Sequence, residues 1–308
     1  MRSTKQRFEV DGHELLLSNL DKILYPEAGF TKGQVIDFYI RVSRFLLPHL
    51  KDRPVTLKRY PNGVTGKHFY QKDAPRYRPE WIRTFPVPRR EGGEPIHYML
   101  IDDLATLAWC ANLANLELHP FLHRAPRIDE PTSVVFDLDP GEGSDILTCA
   151  RVAFLLKELF AKWDLEAFPK VSGSRGIQVY IPLNGRATYA QTQPFARMVA
   201  EYLTREHPEM VVARMSKQER TSKVLVDWSQ NSDFKTTVSV YSLRAKSPRP
   251  FVSMPVSWEE LRRALSRSNR ESLYFAPEAA LKRLERAGDQ FAPVLTRKQK
   301  LPNVSGSV

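Results

Sequence analysis

Cysteine is almost missing from this chain of 308 residues: Cys110 and Cys149 are the only two. That excludes a cysteine-rich zinc site and a disulfide framework, and makes a cytosolic compartment the expectation. No apolar run approaches the roughly 18 residues of a membrane-crossing helix. The start, Met1-Arg-Ser-Thr-Lys-Gln-Arg7, is polar and lacks the apolar stretch of a secretory leader. Internal repeats and low-complexity tracts are absent too. Negative charge is in short supply: 35 Asp and Glu stand against 46 Lys and Arg, a formal net charge of +11. A basic protein of this length favours polyanionic partners, nucleic acid first and an acidic membrane surface second. A soluble basic enzyme with no polyanion carries the same charge, so charge alone names no function.

What is present is ordinary globular composition, 42% apolar and 26% charged, with chain enough for a core without cross-links. Thr31 reads as the cap of a helix whose Val35, Ile36, Tyr39, Val42, Phe45 and Leu46 follow helical spacing. Prolines gather between Pro75 and Pro95, which predicts extended segments and loops. A second helix is predicted from about Asp102 to Leu118, with His119 just past its end and Pro120 stopping it. Residues 133–139 alternate like a strand, and Ser144 or Asp145 caps an amphipathic helix running to about Trp163. Ile177–Pro182 and residues 224–228 read as further strands, residues 262–286 as basic and helical, and residues 293–308 as a linker or frayed tail. Mixed strands and helices predict an α/β or α+β sheet domain. One compact unit over residues 1–292 is expected, because no linker interrupts residues 20–290.

Chemistry concentrates in Val134-Val-Phe-Asp-Leu-Asp-Pro-Gly-Glu-Gly143. Asp137 and Asp139 are two apart on a strand and share a face, while Val134, Phe136 and Leu138 take the other. Adjacent carboxylates repel unless a cation lies between them, and hard oxygen ligands suit Mg²⁺ or Mn²⁺. Such a pair also occurs as solvated aspartates before a turn. Next comes Val171-Ser-Gly-Ser-Arg-Gly-Ile-Gln-Val-Tyr-Ile-Pro182, whose small residues let backbone N–H groups approach an anion, with Arg175 adding charge. The same run serves equally as a tight turn entering a strand. Asp227, on the apolar segment 224–228, offers a third carboxylate that would complete a two-metal site.

In combination, Asp137-Leu-Asp139, Ser172-Gly-Ser-Arg-Gly176, Val226-Asp-Trp-Ser-Gln-Asn231, Lys235-Thr-Thr237 and Tyr241-Ser-Leu-Arg244 resemble the polymerase domain of bacterial DNA ligase D. That domain is a member of the archaeo-eukaryotic primase superfamily. The resemblance runs from about Leu17 to Phe291 and implies a primase-type catalytic sheet domain flanked by helices. Residues up to about 130 would then bind the DNA 5′-phosphate, and about 131–292 would form the catalytic part.

The resemblance implies a role for each matching residue. Asp137, Asp139 and Asp227 match catalytic carboxylates that hold two Mn²⁺ or Mg²⁺ ions. Ser172 and Arg175 match the triphosphate loop, where the family usually has Lys at the latter position. Arg244 matches an arginine on the nucleotide's phosphates, and His119 a histidine near the incoming nucleotide and its metals. Asn19, Lys22 and Lys32 match a 5′-phosphate site, and Phe69 and Tyr70 an aromatic pair that stacks on template bases. Arg220 and Lys223 match a basic loop before the third aspartate. Two local features agree. Lys32 lies in the first turn of a helix, where N–H groups and the dipole favour phosphate. Phe69 and Tyr70 are interleaved with Lys58, Arg59, Lys67 and Lys72, as stacking beside a phosphate backbone requires.

Gln178 is a departure, standing where the family's Ser-Gly-x-x-Gly-x-His pattern has its histidine. Gln donates a hydrogen bond but carries no charge, so Gln178→His is expected to keep the fold and tighten nucleotide binding; unchanged nucleotide KM and kcat would count against this. No Lys-x-Asp-Gly ligase motif occurs, the nearest being Lys162-Trp-Asp-Leu165.

The function implied is template-directed nucleotide addition, with a preference for ribonucleotides, to 3′-hydroxyls at gaps and double-strand breaks in non-homologous end joining. The partners implied are gapped or broken DNA bearing a 5′-phosphate, NTPs or dNTPs, a DNA ligase and an end-binding protein such as Ku. No membrane partner is implied, and the implied place is the bacterial cytoplasm at the nucleoid. The alternatives are short-gap filling in excision repair with a separate ligase, de novo priming, and a weakly catalytic module that binds and bridges DNA ends.

Overall fold

The structure, a computed structural model, describes residues 5–214 and 218–302. They form two compact units, each assembled from separate stretches of chain. The first comprises residues through Pro126 together with Thr236–Val252 and Ala276–Gly288, and the second comprises Arg127–Lys235, Ser253–Phe275 and the chain from Asp289 onward.

In the first unit, Asp11 and Gly12 take positive φ (48° and 74°) and close a hairpin of Lys5–Val10 with His13–Ser18, the backbone a two-residue turn requires. Thr31 caps the helix Lys32–Leu50 as expected, and Gln34 completes a reciprocal capping box, worth about 1 kcal/mol. That helix buries Val35, Ile36, Phe38, Tyr39, Val42 and Leu46. At the far side of this core runs a five-stranded sheet around Pro54–Arg59, which pairs with Phe69–Gln71 and Ile96–Leu100 along one edge and Asn115–Pro120 along the other. The Tyr39 hydroxyl joins the layers: it donates to Leu116 O at 2.8 Å and accepts from Leu243 N at 3.2 Å. Glu278 on the helix Pro277–Ala287 takes a two-pronged bond from Arg41 on the Lys32–Leu50 helix, both contacts 3.1 Å.

The second unit is built on a six-stranded sheet in the order Val211–Val212, Val224–Asp227, Ser133–Pro140, Ile177–Pro182, Phe168–Val171, Met254–Pro255. Only the first pair is parallel. Asp145 caps the helix Ile146–Ala161 by accepting from Leu147 N and Thr148 N. This helix covers the Val134, Phe136 and Leu138 face of the central strand, with the Phe136 and Phe160 rings 5.3 Å apart. The opposite face is thereby left to Asp137 and Asp139.

Three expectations change. The helix predicted to reach Leu118 stops at Asn112, because Ala114 turns the chain at φ 56°, and Asn115–Pro120 is a strand. The basic helix over 262–286 is two helices, Trp258–Ser266 and Pro277–Ala287, separated by a left-handed Ser268 and a proline that can only start a helix. The described part of the tail is docked. Pro293–Thr296 is a short helix with Val294 buried, and the Gln299 amide bonds Glu166 O and Pro182 O. Residues 303–308 of that tail lie outside the described residues. Among the described residues, no helix is long and apolar enough to cross a membrane.

Candidate active site

In the second unit the sheet register lines up a row of side chains. Asp137 stands opposite Asp227 on one neighbouring strand and Gln178 on the other, and Gln178 stands opposite Lys170. Directly opposed residues share a face, so Lys170, Gln178, Asp137 and Asp227 cross four strands, with Asp139 two residues along from Asp137. The three predicted aspartates are therefore neighbours. Lys170 is new to the set. It is fully buried, and its ammonium donates to Ser253 Oγ at 2.7 Å. Nothing in the sequence marks it, since a lysine between Pro169 and Val171 reads as surface.

Burial first, then the Asp139 and Asp227 carboxylates, push the Asp137 acid up to about 7; a hydrogen bond from Gln178 and the charge of Lys170 oppose them. Asp227 is engaged locally. Its Oδ1 accepts from Ser229 N at 2.9 Å and Ser229 Oγ at 2.5 Å, and its Oδ2 accepts from Gln230 Nε2 at 3.0 Å. Lys235 in turn donates to Ser229 Oγ. The donor chemistry fits a divalent cation, because all three groups are hard oxygen ligands and their crowding calls for positive charge. Among the described residues no three acidic, histidine or cysteine side chains are yet gathered as a ligand set. The oxygens of Asp227 are turned to Ser229 and Gln230 instead.

The Ser172–Gly176 loop lies against the end of the aspartate strand. A Cβ on Gly176 would fall 2.4 Å from Leu138 O, so only glycine allows this approach. Ser172 Oγ accepts from Ser174 N and Gly176 N, both at 3.3 Å, and Arg175 donates to Ser144 O at 3.3 Å. Gln178 is buried in the carboxylate row, bonded to Asp137. Arg220 and Lys223, both half-buried, flank the turn after Asp139, where Gly141 N donates to Lys223 O at 2.8 Å and Ser222 N to Glu142 O at 2.6 Å.

The first unit holds the other predicted residues. His119 lies on the strand Asn115–Pro120 rather than past a helix end, so Glu117 shares its face. Glu117 is fully buried, 2.9 Å from His119 Nε2, 3.5 Å from Arg244 Nε and 3.7 Å from Lys58 Nζ. Burial works against its ionisation, but the His119 hydrogen bond and the charges of Arg244 and Lys58 outweigh it and hold the acid well below its usual range. Sequence reading missed Glu117 because a helical reading of 102–118 separates it from His119. Phe69 and Tyr70 are surface residues, 44% and 55% exposed, with Arg59 5.0 Å from the first ring and Lys58 5.3 Å from the second. That suits stacking and not core packing.

At the helix start, Asn19 and Lys22 are exposed, and Lys22 donates to Asn62 Oδ1 at 3.3 Å. Lys32 is buried, its ammonium donating to Ser18 O at 2.5 Å. The sequence argument from free helix N–H groups needs correction. Lys32 N and Gly33 N already donate to Lys22 O and Leu20 O, and Gln34 N to Thr31 Oγ. A phosphate here would be held by side-chain charge. Burial first, then the charges of Lys22 and Arg59, lower the Lys32 pKa to about 8.

A mixed sheet that sets three aspartates on two neighbouring strands, beside a serine-glycine loop, is the architecture of the primase-polymerase class. The chain belongs to the family described as "LigD, primase-polymerase domain", whose model matches residues 31–291. It is similar to the multifunctional non-homologous end joining protein LigD of Mycolicibacterium smegmatis, 37% identical over 280 residues, covering 90% of this chain and 36% of that one. It is similar also to the multifunctional non-homologous end joining DNA repair protein LigD of Mycobacterium tuberculosis, 40% identical over 255 residues, covering 80% of this chain and 33% of that one. The chain thus spans about a third of the length of these relatives. Among solved structures, the polymerase domain from Mycobacterium tuberculosis ligase D in complex with DNA superposes with a TM-score of 0.84 at 37% identity, covering 91% of this chain and 98% of that one.

Proposed function

We propose that this chain adds nucleotides, ribonucleotides by preference, to 3′-hydroxyls on templated DNA at gaps and breaks in end joining. The observation that carries the reading is the register that sets Asp137 against Asp227, with Asp139 beside them on the same face. The similar domain solved with DNA supports a DNA substrate, and so does the net charge of +11. The similar end-joining proteins, of which the matched segment is about a third, support a ligase and an end-binding protein such as Ku as partners.

Asp137, Asp139 and Asp227 would hold Mn²⁺ or Mg²⁺. When bound, the cation supplies charge neutralisation at the phosphoryl group under attack and a lower pKa for the attacking hydroxyl. Gln178 orients the Asp137 carboxyl, and Lys170 favours its ionised form. Ser172 and Arg175 bind the triphosphate, and Arg244 and His119 contact the nucleotide. Phe69 and Tyr70 stack on template bases, Arg220 and Lys223 contact the template, and Asn19, Lys22 and Lys32 hold the 5′-phosphate.

Extension of a labelled primer on gapped DNA tests the reading, with Mn²⁺ and either sugar, with and without the downstream 5′-phosphate. Extension that weakens without the phosphate is expected; tight binding with no extension would favour the end-bridging alternative.

Lys32 adds a pH dependence. A phosphate selects the charged ammonium, whose population falls as pH rises through about 8. The affinity ratio for gapped DNA with and without the 5′-phosphate should shrink between pH 7 and pH 9, and in Lys32→Met it should be small throughout. A wild-type ratio that stays constant across that range would remove Lys32 from the phosphate site.

A further inference from the structure

We propose that Glu117 is the positioning residue of the first unit's nucleotide-contacting groups, fixing His119 with its proton on Nε2 and binding Lys58 and Arg244 into one assembly. The proposal rests on the reading of His119 and Arg244 as nucleotide contacts.

The geometry is a second cross-strand row. Lys58 stands opposite Tyr70 on one side and Glu117 on the other. Both Glu117 oxygens are in use: Oε1 accepts from Ala245 N at 3.0 Å and lies 3.7 Å from Lys58 Nζ. Oε2 lies 2.9 Å from His119 Nε2 and 3.5 Å from Arg244 Nε. The bond to Ala245 N anchors the carboxylate to the backbone just after Arg244. An ionised carboxylate can only accept hydrogen bonds, so His119 Nε2 must be the donor. Burial first, then the charges of Arg244 and Lys58, lower the His119 pKa against the pull of Glu117, so the ring carries one proton and its other nitrogen presents a lone pair. A lone pair takes an O–H or N–H donor and repels a phosphate oxygen. His119 is thereby specified for a hydroxyl or amino group of the substrate, and phosphate is left to the two cations.

The charge balance fits that division. One buried carboxylate faces Lys58 and Arg244, so the assembly keeps a net positive charge for a polyanion. Lys58 also lies 5.4 Å from the Tyr60 ring and 5.3 Å from the Tyr70 ring, and Tyr70 packs edge-on to His119 at 6.2 Å. Releasing Lys58 from Glu117 would loosen the exposed aromatic assigned to template stacking.

The test begins with the wild-type chain, ¹⁵N-labelled, reading the ring nitrogens of His119 after assignment by His119→Gln. A proton on Nε2 is expected; a proton on Nδ1 alone overturns the proposal. In Glu117→Gln the new amide can donate, so the proton should move to Nδ1. The nucleotide KM should rise by about 10- to 100-fold, the scale of an orienting partner, with a smaller change in kcat, and Glu117→Asp should recover most of the loss. An unchanged tautomer and KM in folded Glu117→Gln would also overturn it. Should that variant fail to fold with two cations left unbalanced, Lys58→Met with Glu117→Gln removes one of them and the same tautomer reading applies. A wild-type protein that extends no primer sinks the polymerase reading, while the tautomer measurement still decides the role of Glu117.

Discussion

Replacing Asp137 by Asn is expected to abolish nucleotide addition and, in chelator, to raise the melting temperature. Asn keeps the shape but neither ligates a cation as a carboxylate does nor carries charge. Activity should fall by about 10²–10³-fold or more, the scale seen when a group aimed at developing charge is lost. The stability gain has a separate cause, the buried crowding of Asp137 with Asp139 and Asp227. Its sign follows from linkage. The folded acid titrates near 7 and the unfolded one near 3.8, so between these values the folded chain holds the extra proton. This group's contribution is most favourable below pH 3.8 and is lost as pH rises through 7. Wild-type protein in chelator should therefore lose stability across that window, and Asp137→Asn should lose less. Primer extension and thermal melts from pH 4 to pH 8 measure both; retained activity or a lower melting temperature at pH 8 would contradict the site.

Gly141→Ala is expected to be the most disruptive small substitution near the site. An added Cβ would lie 1.8 Å from Arg220 O and 3.0 Å from Lys223 O, both backbone atoms that cannot swing aside. The turn after Asp139 would have to separate from the loop preceding Asp227. A loss of about 1–3 kcal/mol or more is expected from overpacking of this kind, together with loss of extension, because the displaced segments adjoin Asp139 and lead into the strand that ends at Asp227. Gly185→Ala is the control. Its Cβ would sit 3.7 Å from Leu183 O, at ordinary contact distance, and urea unfolding should place it within about 0.5 kcal/mol of wild type. Equal midpoints for the two variants would show that the turn yields freely.

Where local physics decides, the fold was legible. Alternation marks residues 133–139, the strand Ile177–Pro182 is found as predicted, and Thr31 and Asp145 cap their helices because their side chains accept from free N–H groups. Where two periods compete, it was not. Leu118 continues the helical spacing of Ala111 and Ala114, whereas Leu116 and Leu118 alternate as on a strand, and the left-handed Ala114 decides between the two. That choice hid Glu117, whose partners Arg244 and Lys58 are far away in sequence. The aspartates were readable because Asp-x-Asp reports its own geometry on a strand. Lys170 and the local engagement of Asp227 with Ser229 and Gln230 were not, since both depend on strand register and side-chain rotamers.

The division of the chain also bears on how the molecule could be inherited or rebuilt. The first unit draws on three stretches, and the last, Ala276–Gly288, supplies the helix whose Glu278 holds Arg41. The stretch Thr236–Val252 brings Arg244 to Glu117. A crossover within the gene could therefore not exchange either unit as a cassette, and cutting after Pro126 would strip the first unit of the arginine that its buried glutamate binds. Grafting either unit onto another scaffold would mean stitching distant segments together with new linkers, whereas single substitutions can retune each unit in place.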